Sequence, residues 1–450
     1  MTSDRFDALD DLIAAAGAGA GESPETRRLR RVRWERAIGA ACAAFAVAGF
    51  LTEVVASSIL VADSGPRALA IVWPVSGVVL LVLARIQGRF VDRHARLPVL
   101  TGLCIVYAVL FGLVLALFAG DVPTVVPAAL AALLGDQMNF LLPVVVGALA
   151  GDVFTAGQGA SVFPRLARWG LGGQVAGLLV GAVAPFLLDR IDATTSWLLV
   201  APPLLLLVVA AVVPGMLRDA STSEGHQRAE TSSESFRSTL EFVRELPAFR
   251  WLLLLSFFAI AAGTALEFGF LDVLQAEYAD AADLQVVFAG TALVGFVISV
   301  LLQSFVTPRL LMRGSVGRAL GALPLVTVVA ALVAALGGVA GQVWIVVVGI
   351  LLWRLPRWGL DPAARHAAYA TLPDERRARV ALLLDLVPTA VGQVLVPVTL
   401  GLAVLVSGNW LAPLVAAAVA GVAVAMARRV DRTWDDTQLS YRLKRRKRIA

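Results

Sequence analysis

Long apolar stretches alternate with short polar segments along the whole 450-residue chain. An apolar helix of about 20 residues is long enough to span the hydrocarbon core of a bilayer. The pattern predicts twelve such spans, near 37–62, 68–84, 98–119, 124–150, 169–188, 195–217, 251–274, 284–306, 319–337, 342–364, 380–406 and 409–427. The chain is therefore predicted to be an all-α polytopic membrane protein.

The spans fall into two groups of six, separated by a polar, serine-rich linker that contains the amphipathic sequence FRSTLEFVREL. That sequence predicts a short helix within the linker. We therefore divide the chain into an N-terminal segment 1–36, a first bundle 37–217, the linker 218–250, a second bundle 251–427 and a basic tail 428–450. This organisation resembles the major facilitator architecture, in which the substrate site lies between two halves near the membrane midplane.

Composition and charge agree with a membrane protein. Hydrophobic residues make up 58% of the chain, charged residues 16%, and the mean hydropathy is +0.80. The pI near 9.7 does not indicate a nucleic-acid surface, because the basic residues cluster in short segments beside the spans. This bias predicts cytoplasmic termini in a bacterial inner membrane, with only Arg67 and Arg190 on the other side. The basic tail is expected to contact anionic lipid headgroups, and no cleavable signal peptide is expected.

The sequence has no catalytic constellation, phosphate-binding loop or metal-ligand cluster, so we expect neither an enzyme nor a cofactor. His94, His226 and His366 fall in predicted loops or at a helix end. Cys42 and Cys104 fall in spans and are expected to be small packing residues.

Charged residues inside spans are costly and are therefore functional candidates. Four of the spans carry such residues well inside their apolar windows, and the residues are Glu53, Asp136, Glu267, Asp272, Arg354 and Arg357. These are the first, fourth, seventh and tenth spans, which are equivalent to one another in a two-fold repeat. Glu53 and Glu267 each lie 16 residues past the predicted start of their spans, or about 24 Å deep. The pattern predicts a central polar cavity.

The deepest guanidinium, that of Arg354, needs an anionic partner inside the membrane. The sequence is compatible with two kinds of partner: a carboxylate from the other half, such as Asp136, or an anionic substrate. Asn139 follows Asp136 by three residues and shares its helical face. The buried charges therefore form either a fixed ion pair that docks the halves or a cavity reached by substrate and protons.

The end of the tenth span carries further charges. Arg354, Arg357, Asp361 and Arg365 are spaced three, four and four residues apart, which predicts one helical face. Arg357 and Asp361 are expected to pair within that helix, and Pro356 is expected to unwind it between the two arginines.

The junction after the tenth span resembles that of the non-mitochondrial ATP/ADP translocase family of nucleotide transporters. Its sequence is LDPAARHAAYATLPDERRARVALLLDL, and the matching positions are Asp361, Pro362, Ala368, Tyr369, Pro373, Asp374, Glu375, Arg377 and Asp385. The segments DVFTAGQGASVFPRLARWGLGGQVAGLLVG and ELPAFRWLLLLSFFAI resemble other parts of the same family. The resemblance implies a major-facilitator-like fold and exchange of ATP for ADP. Asp361, Arg365, Tyr369 and Asp385 become candidates for a gate or structural junction.

One departure from that family keeps the substrate open. The family places membrane lysines around the phosphates, and this chain has no lysine before Lys444. We therefore consider a transporter that exchanges nucleotides or another phosphorylated anion by alternating access, and a proton-coupled carrier of a cationic or neutral solute. The third hypothesis is a membrane scaffold or sensor that transports nothing.

Overall fold

The computed structural model describes residues 23–91, 95–154, 156–218, 220, 236–313, 316–372, 374–407 and 411–449. Most of the N-terminal segment and about half of the linker therefore lie outside the described residues. The same is true of His94, His226 and Pro373, and the side chains of Asp374, Glu375 and Arg377 are likewise not described.

The described chain is built from α-helices and two short 3₁₀ helices, Pro66–Ala68 and Thr195–Val200. The α-helices are α1 Pro24–Ser64, α2 Leu69–Val91, α3 Arg96–Ala119, α4 Val125–Val153, α5 Ala156–Asp189, α6 Ala201–Met216, α7 Phe236–Glu245, α8 Pro247–Glu277, α9 Ala281–Phe305, α10 Thr307–Arg313, α11 Val316–Ala340, α12 Val343–Gly359, α13 Asp361–Tyr369, α14 Asp374–Ser407 and α15 Leu411–Ile449. Twelve spans in the described residues are long and apolar enough to cross a membrane. The all-helical class and the twelve predicted spans are confirmed.

Several helices extend beyond the predicted spans. α1 starts at Pro24, where Ser23 caps it by accepting a hydrogen bond from the Thr26 amide at 3.2 Å. α15 continues to Ile449, so the predicted tail extends this helix. A hydropathy window ends at the first charged residues, but nothing there interrupts the backbone hydrogen bonds of the helix.

The tenth span is broken, and not where the sequence suggested. α12 contains Pro356 and stays helical to Gly359, and α13 begins at Asp361. Leu360 forms the junction, with φ −117° and ψ −45°. The prediction that Pro356 unwinds the helix is wrong, because a proline disturbs the turn before it without necessarily ending the helix.

The linker contains the predicted amphipathic helix, α7. It packs on α8 and α14, with Val243 fully buried and Thr239 buried on the same side. The chain then enters α8 through Pro247, which occupies the first helical turn.

The first half consists of α1 to α6 and the second of α8 to α15. We call the end of the bundle where α1 starts and α15 ends the terminal face, and the other end the opposite face. Within the first half, α1 and α5 approach closely because Gly173 lies against the backbone of Ala43. Between the halves, Gly77 of α2 lies against the carbonyl of Ala390 in α14. The two halves are therefore in direct backbone contact at this level.

Candidate functional site

A cavity of about 600 Å³ lies between the two halves. Its walls come from α1, α2, α4 and α5 of the first half and from α8, α9, α12 and α14 of the second. Four charged side chains line it: Glu53, Asp136, Glu267 and Arg357. Asn139 lines it as well, so five of the seven predicted binding or coupling residues line the same cavity.

The cavity is closer to the terminal face than to the opposite face. On α4 its lining reaches Ala150, within a turn of the end of the helix. At the opposite face the halves are joined, since Gln285 Nε2 of α9 donates a 2.8 Å hydrogen bond to the Gly181 carbonyl of α5. The backbone of Gly65, at φ +72°, also lies beside Gln275 there. These contacts close the cavity at the opposite face.

A repeat of 214 residues relates the two halves at the cavity. Glu53 on α1 and Glu267 on α8 are separated by this interval, as are Gly49 and Gly263 on the same helices. Each glycine receives a large side chain from the fourth span of its own half: Gly49 contacts Asn139, and Gly263 contacts Trp353. Asn139 and Trp353 are themselves 214 residues apart. The missing Cβ lets α4 and α12 approach α1 and α8, so that the acids from each half face the same space.

The two equivalent glutamates have different partners. Within the described part of the chain, Glu53 makes no hydrogen bond or ion pair and faces the cavity. Glu267 accepts a hydrogen bond from Arg354 Nη2 at 3.4 Å. One half therefore presents an acid without an ion-pair partner and the other an acid paired with an arginine.

The third acid, Asp136, is held by uncharged donors. Ser76 Oγ of α2 donates to Asp136 Oδ2 at 2.8 Å. Ser76 is held in turn by Gln137, whose Nε2 lies 3.1 Å from the Ser76 carbonyl and 3.2 Å from its hydroxyl. Both Ser76 and Gln137 are buried. Because Ser76 precedes Gly77, this network joins Asp136 to the contact between α2 and α14.

Arg354 lies behind the cavity wall, and its side chain is only 2% exposed. Its guanidinium sits 5.4 to 5.8 Å from the ring centres of Phe270, Phe288 and Trp358. Its Nε and Nη1 have no hydrogen-bond partner. A buried cation is stabilised here by one carboxylate and three aromatic rings.

Of the two kinds of partner considered for Arg354, the carboxylate of Asp136 in the other half does not form an ion pair with it. The partner is Glu267, from the same half as Arg354, while Asp136 is bonded to Ser76. Depth along a span identified residues at similar levels, but α12 packs on α8 of its own half, and this lateral packing decides the partner.

Arg357 is the arginine that lines the cavity. Its Cζ lies 5.4 Å from the centre of the Trp353 ring, which also lines the cavity. Among the described residues, the predicted ion pair between Arg357 and Asp361 is not formed: Asp361 pairs with Arg365 at 2.6 Å and is close enough to Arg357 only to interact with it electrostatically. The helix break at Leu360 changes the direction of the chain between Arg357 and Asp361, so the four charges do not share one continuous face.

Asp272 lies away from the cavity lining, toward the end of α8 at the opposite face. Its Oδ2 is buried without a hydrogen-bond partner, and Arg67 is close enough to interact electrostatically. Asp272 thus belongs to the closed end of the protein and not to the cavity.

The predicted junction residues form one cluster beyond the helix break. Arg365 donates to Asp361 at 2.6 Å and to Asp385 at 3.4 Å. Tyr369 also donates to Asp385, at 2.7 Å. Ser256 of α8, which the sequence did not single out, lies 2.6 Å from Arg365 Nη1. The cluster joins α13 to both α8 and α14.

The cavity walls are also strongly aromatic, which the sequence analysis missed. Eight aromatic side chains line the cavity: Phe45, Phe50, Trp73, Phe140, Phe163, Phe288, Trp353 and Trp358. Aromatic residues are common in apolar spans, and only a helix-by-helix repeat comparison could have drawn attention to Trp353. Cys42, expected to be a packing residue, is part of the lining as well. Among the described residues, no group of histidine, cysteine and acidic side chains is arranged to hold a metal ion.

Two six-helix halves around a central cavity with charged walls are the architecture of a secondary transporter that works by alternating access. The sequence profile of the Major Facilitator Superfamily matches residues 86–387, more than half of the chain. The chain belongs to the Major Facilitator Superfamily. It is a multi-pass membrane protein and a secondary transporter of this type.

Solved structures of transporters share the fold. The nucleoside transporter NupG is 13% identical, with a TM-score of 0.64 over 89% of this chain and 99% of that one. An auto-inhibited POT family peptide transporter is 13% identical, with a TM-score of 0.62 over 90% and 97%. A bacterial homologue of ferroportin in an inward-facing state is 19% identical, with a TM-score of 0.59 over 89% and 98%. At such identities the likeness shows the fold alone.

No curated protein gives a sequence match to this chain. None of the three structures above is an ATP/ADP translocase, so the narrower resemblance to that family stays a prediction.

Proposed function

We propose that this protein is a proton-coupled carrier of organic cations with an aromatic or apolar body. The observation that carries the proposal is the charge of the cavity wall, which has three carboxylates, Glu53, Asp136 and Glu267, and one guanidinium, that of Arg357. With all four groups ionised, this part of the site is negative, which favours a cationic ligand. The eight aromatic side chains supply apolar contact and cation–π attraction.

Glu53 is the acid best suited to exchange a proton for the cation. It faces the cavity and has no ion-pair or hydrogen-bond partner in the described part of the chain, whereas Glu267 is beside Arg354 and Asp136 is bonded to Ser76. A carboxylate can be neutralised by a proton or by an organic cation, but not by both at once. Release of one is then required for binding of the other, which makes the carrier an antiporter.

The terminal face, toward which the cavity extends, is the predicted cytoplasmic side. With this orientation the conformation is inward-facing, and contacts such as that of Gln285 with Gly181 form the outer closure. Alternating access would open these contacts and close the cavity around the ligand at the terminal face.

Exchange of nucleotides is less well supported by the cavity. ATP carries about four negative charges, and charge complementarity requires a positive site. Arg357 is the one guanidinium among the lining residues described, because Arg354 is buried behind Phe288 and Trp358 with 2% exposure. Phosphates at this site would face more carboxylates than arginines.

Transport by the reconstituted protein tests the proposal. Liposomes with an acidic interior and an enclosed pH indicator would receive a series of aromatic organic cations, beginning with 1-methyl-4-phenylpyridinium. We expect cation uptake with alkalinisation of the interior, both abolished by Glu53→Gln. Glu277→Gln, at an exposed position on α8 at the opposite face, is the matched control and should keep both signals.

The same liposomes, loaded with ATP, would receive labelled ADP. Exchange of ADP for internal ATP, without proton movement in response to any cation of the series, would contradict the proposal and support the nucleotide hypothesis. Absence of both activities in folded protein would favour the scaffold hypothesis.

A further inference from the structure

Two arginines converge on one tryptophan at the terminal face. The Cζ of Arg250 lies 5.0 Å from the centre of the Trp251 ring, and the Cζ of Arg429 lies 4.5 Å from it. The two guanidiniums are therefore within about 9.5 Å of each other although they come from different helices, α8 and α15. Like charges at this separation repel each other unless an anion lies between them.

Arg250, Trp251 and Arg429 lie at the level of the lipid headgroups. Trp251 is in the second turn of α8, at the start of its apolar run, and Arg429 follows directly after the apolar part of α15. Phe249 and Trp434, whose rings are 6.1 Å apart, hold the same two helices together. Tryptophan and arginine at the ends of apolar runs are typical of the membrane interface.

Apart from their contact with the Trp251 ring, the two guanidiniums keep their N–H donors available. Both side chains are exposed, and within the described part of the chain neither forms an ion pair or a hydrogen bond. Each presents a planar fork of N–H donors, which matches two oxygens of a phosphate. The start of α8 beside them adds the positive end of the helix dipole.

We propose that Arg250, Trp251 and Arg429 form a binding site for the phosphate headgroup of an anionic phospholipid. The two guanidiniums bind the phosphate oxygens, and the indole lies against the glycerol and upper acyl chain. A lipid is the ligand rather than a soluble phosphate, because the group lies at the headgroup level and includes an aromatic ring suited to that interface. The bound lipid bridges α8, which carries Glu267, to α15.

This site does not depend on the transport proposal, nor on the distal part of the basic helix. Residues 437–449 are expected to contact anionic lipids in general, and their side chains lie outside the described part of the structure. The site proposed here is a specific pair of arginines on two helices. Substitution of Arg250 or Arg429 should therefore weaken lipid binding, and substitution of other basic residues nearby should not.

Binding is tested on the full-length protein in a neutral detergent. Native mass spectrometry would follow titration with phosphatidylglycerol, with phosphatidylcholine as the neutral lipid and inorganic phosphate and glycerol 3-phosphate as soluble anions. We expect retention of phosphatidylglycerol over phosphatidylcholine. Arg250→Gln and Arg429→Gln should each weaken it about tenfold or more, the loss expected for a hydrogen bond between charged groups. Arg428→Gln, at the exposed neighbouring position on α15, is the control and should bind as the wild type does.

A second measurement protects the test against a folding defect. The heat-aggregation midpoint of each variant would be compared with and without phosphatidylglycerol, so that only the increment due to lipid is counted. An increment that disappears in Arg250→Gln and Arg429→Gln but persists in Arg428→Gln supports the site. Equal loss in all three variants would mean general charge attraction, and equal binding of inorganic phosphate would mean a soluble-anion site; either result overturns the proposal.

Discussion

Replacing Glu267 by glutamine should destabilise the protein by removing the countercharge of a fully buried arginine. Arg354 is 2% exposed, and Glu267 is the carboxylate that it contacts, at 3.4 Å. Breaking a buried ion pair by removing one partner costs about 3–5 kcal/mol, because the other charge is left uncompensated. Glu267 is 25% exposed to the cavity and the contact is long, so the lower end, ~3 kcal/mol, applies here.

The double variant Glu267→Gln with Arg354→Met should recover most of this loss. It removes both charges, and methionine fills a similar space among Phe270, Phe288 and Trp358. Buried pairs replaced by apolar groups are often neutral in stability. Isothermal denaturation or a heat-aggregation midpoint in detergent would measure both effects, with Glu277→Gln as the exposed control on the same helix.

Two results would refute this reasoning. A Glu267→Gln protein as stable as the control would mean that Arg354 does not depend on Glu267. A double variant no more stable than Glu267→Gln would mean that the loss comes from the glutamate itself and not from the stranded guanidinium.

Three further predictions concern the cavity and the junction. Gly49→Ala should weaken cation uptake and lower the denaturation midpoint, because the new Cβ would lie 1.7 Å from Asn139 Oδ1 and 2.7 Å from its Cγ, so that the whole Asn139 side chain must move. Ser76→Ala should remove the hydrogen bond to Asp136 and shift the pH dependence of uptake; an unchanged pH profile would contradict this. Arg365→Gln should lower the denaturation midpoint more than any cavity substitution except Glu267→Gln, because it leaves its carboxylate partners without a countercharge.

The acids of the cavity could be found in the sequence because a membrane span makes any charge conspicuous. Glu53, Asp136 and Glu267 stand within apolar runs, and their equivalent positions in a repeat predicted a shared space, where the structure places them. The network around Asp136 could not be found in this way. Ser76 and Gln137 are unremarkable in a span, and their role follows only from the packing of α2 on α4.

The partners of the arginines show the limit of one-dimensional reasoning. Depth along a helix follows from counting residues, but which neighbouring helix a side chain faces depends on the tertiary arrangement. A carboxylate of the other half, such as Asp136, was one of two partners considered for Arg354, but the ion pair is formed with Glu267 of its own half. Arg357 was expected to pair with Asp361, but the helix breaks at Leu360, between Gly359 and Pro362, and Asp361 pairs with Arg365 instead.

The measurement that tests the central claim most directly is proton release when an organic cation binds to the purified protein. Isothermal titration calorimetry in two buffers of different ionisation enthalpy counts the protons released for each cation bound. We expect release of about one proton for each cation bound, and most of this release should be lost in Glu53→Gln, because proton and cation share that carboxylate. Tight cation binding without proton release, or release that is unchanged in Glu53→Gln, would contradict it.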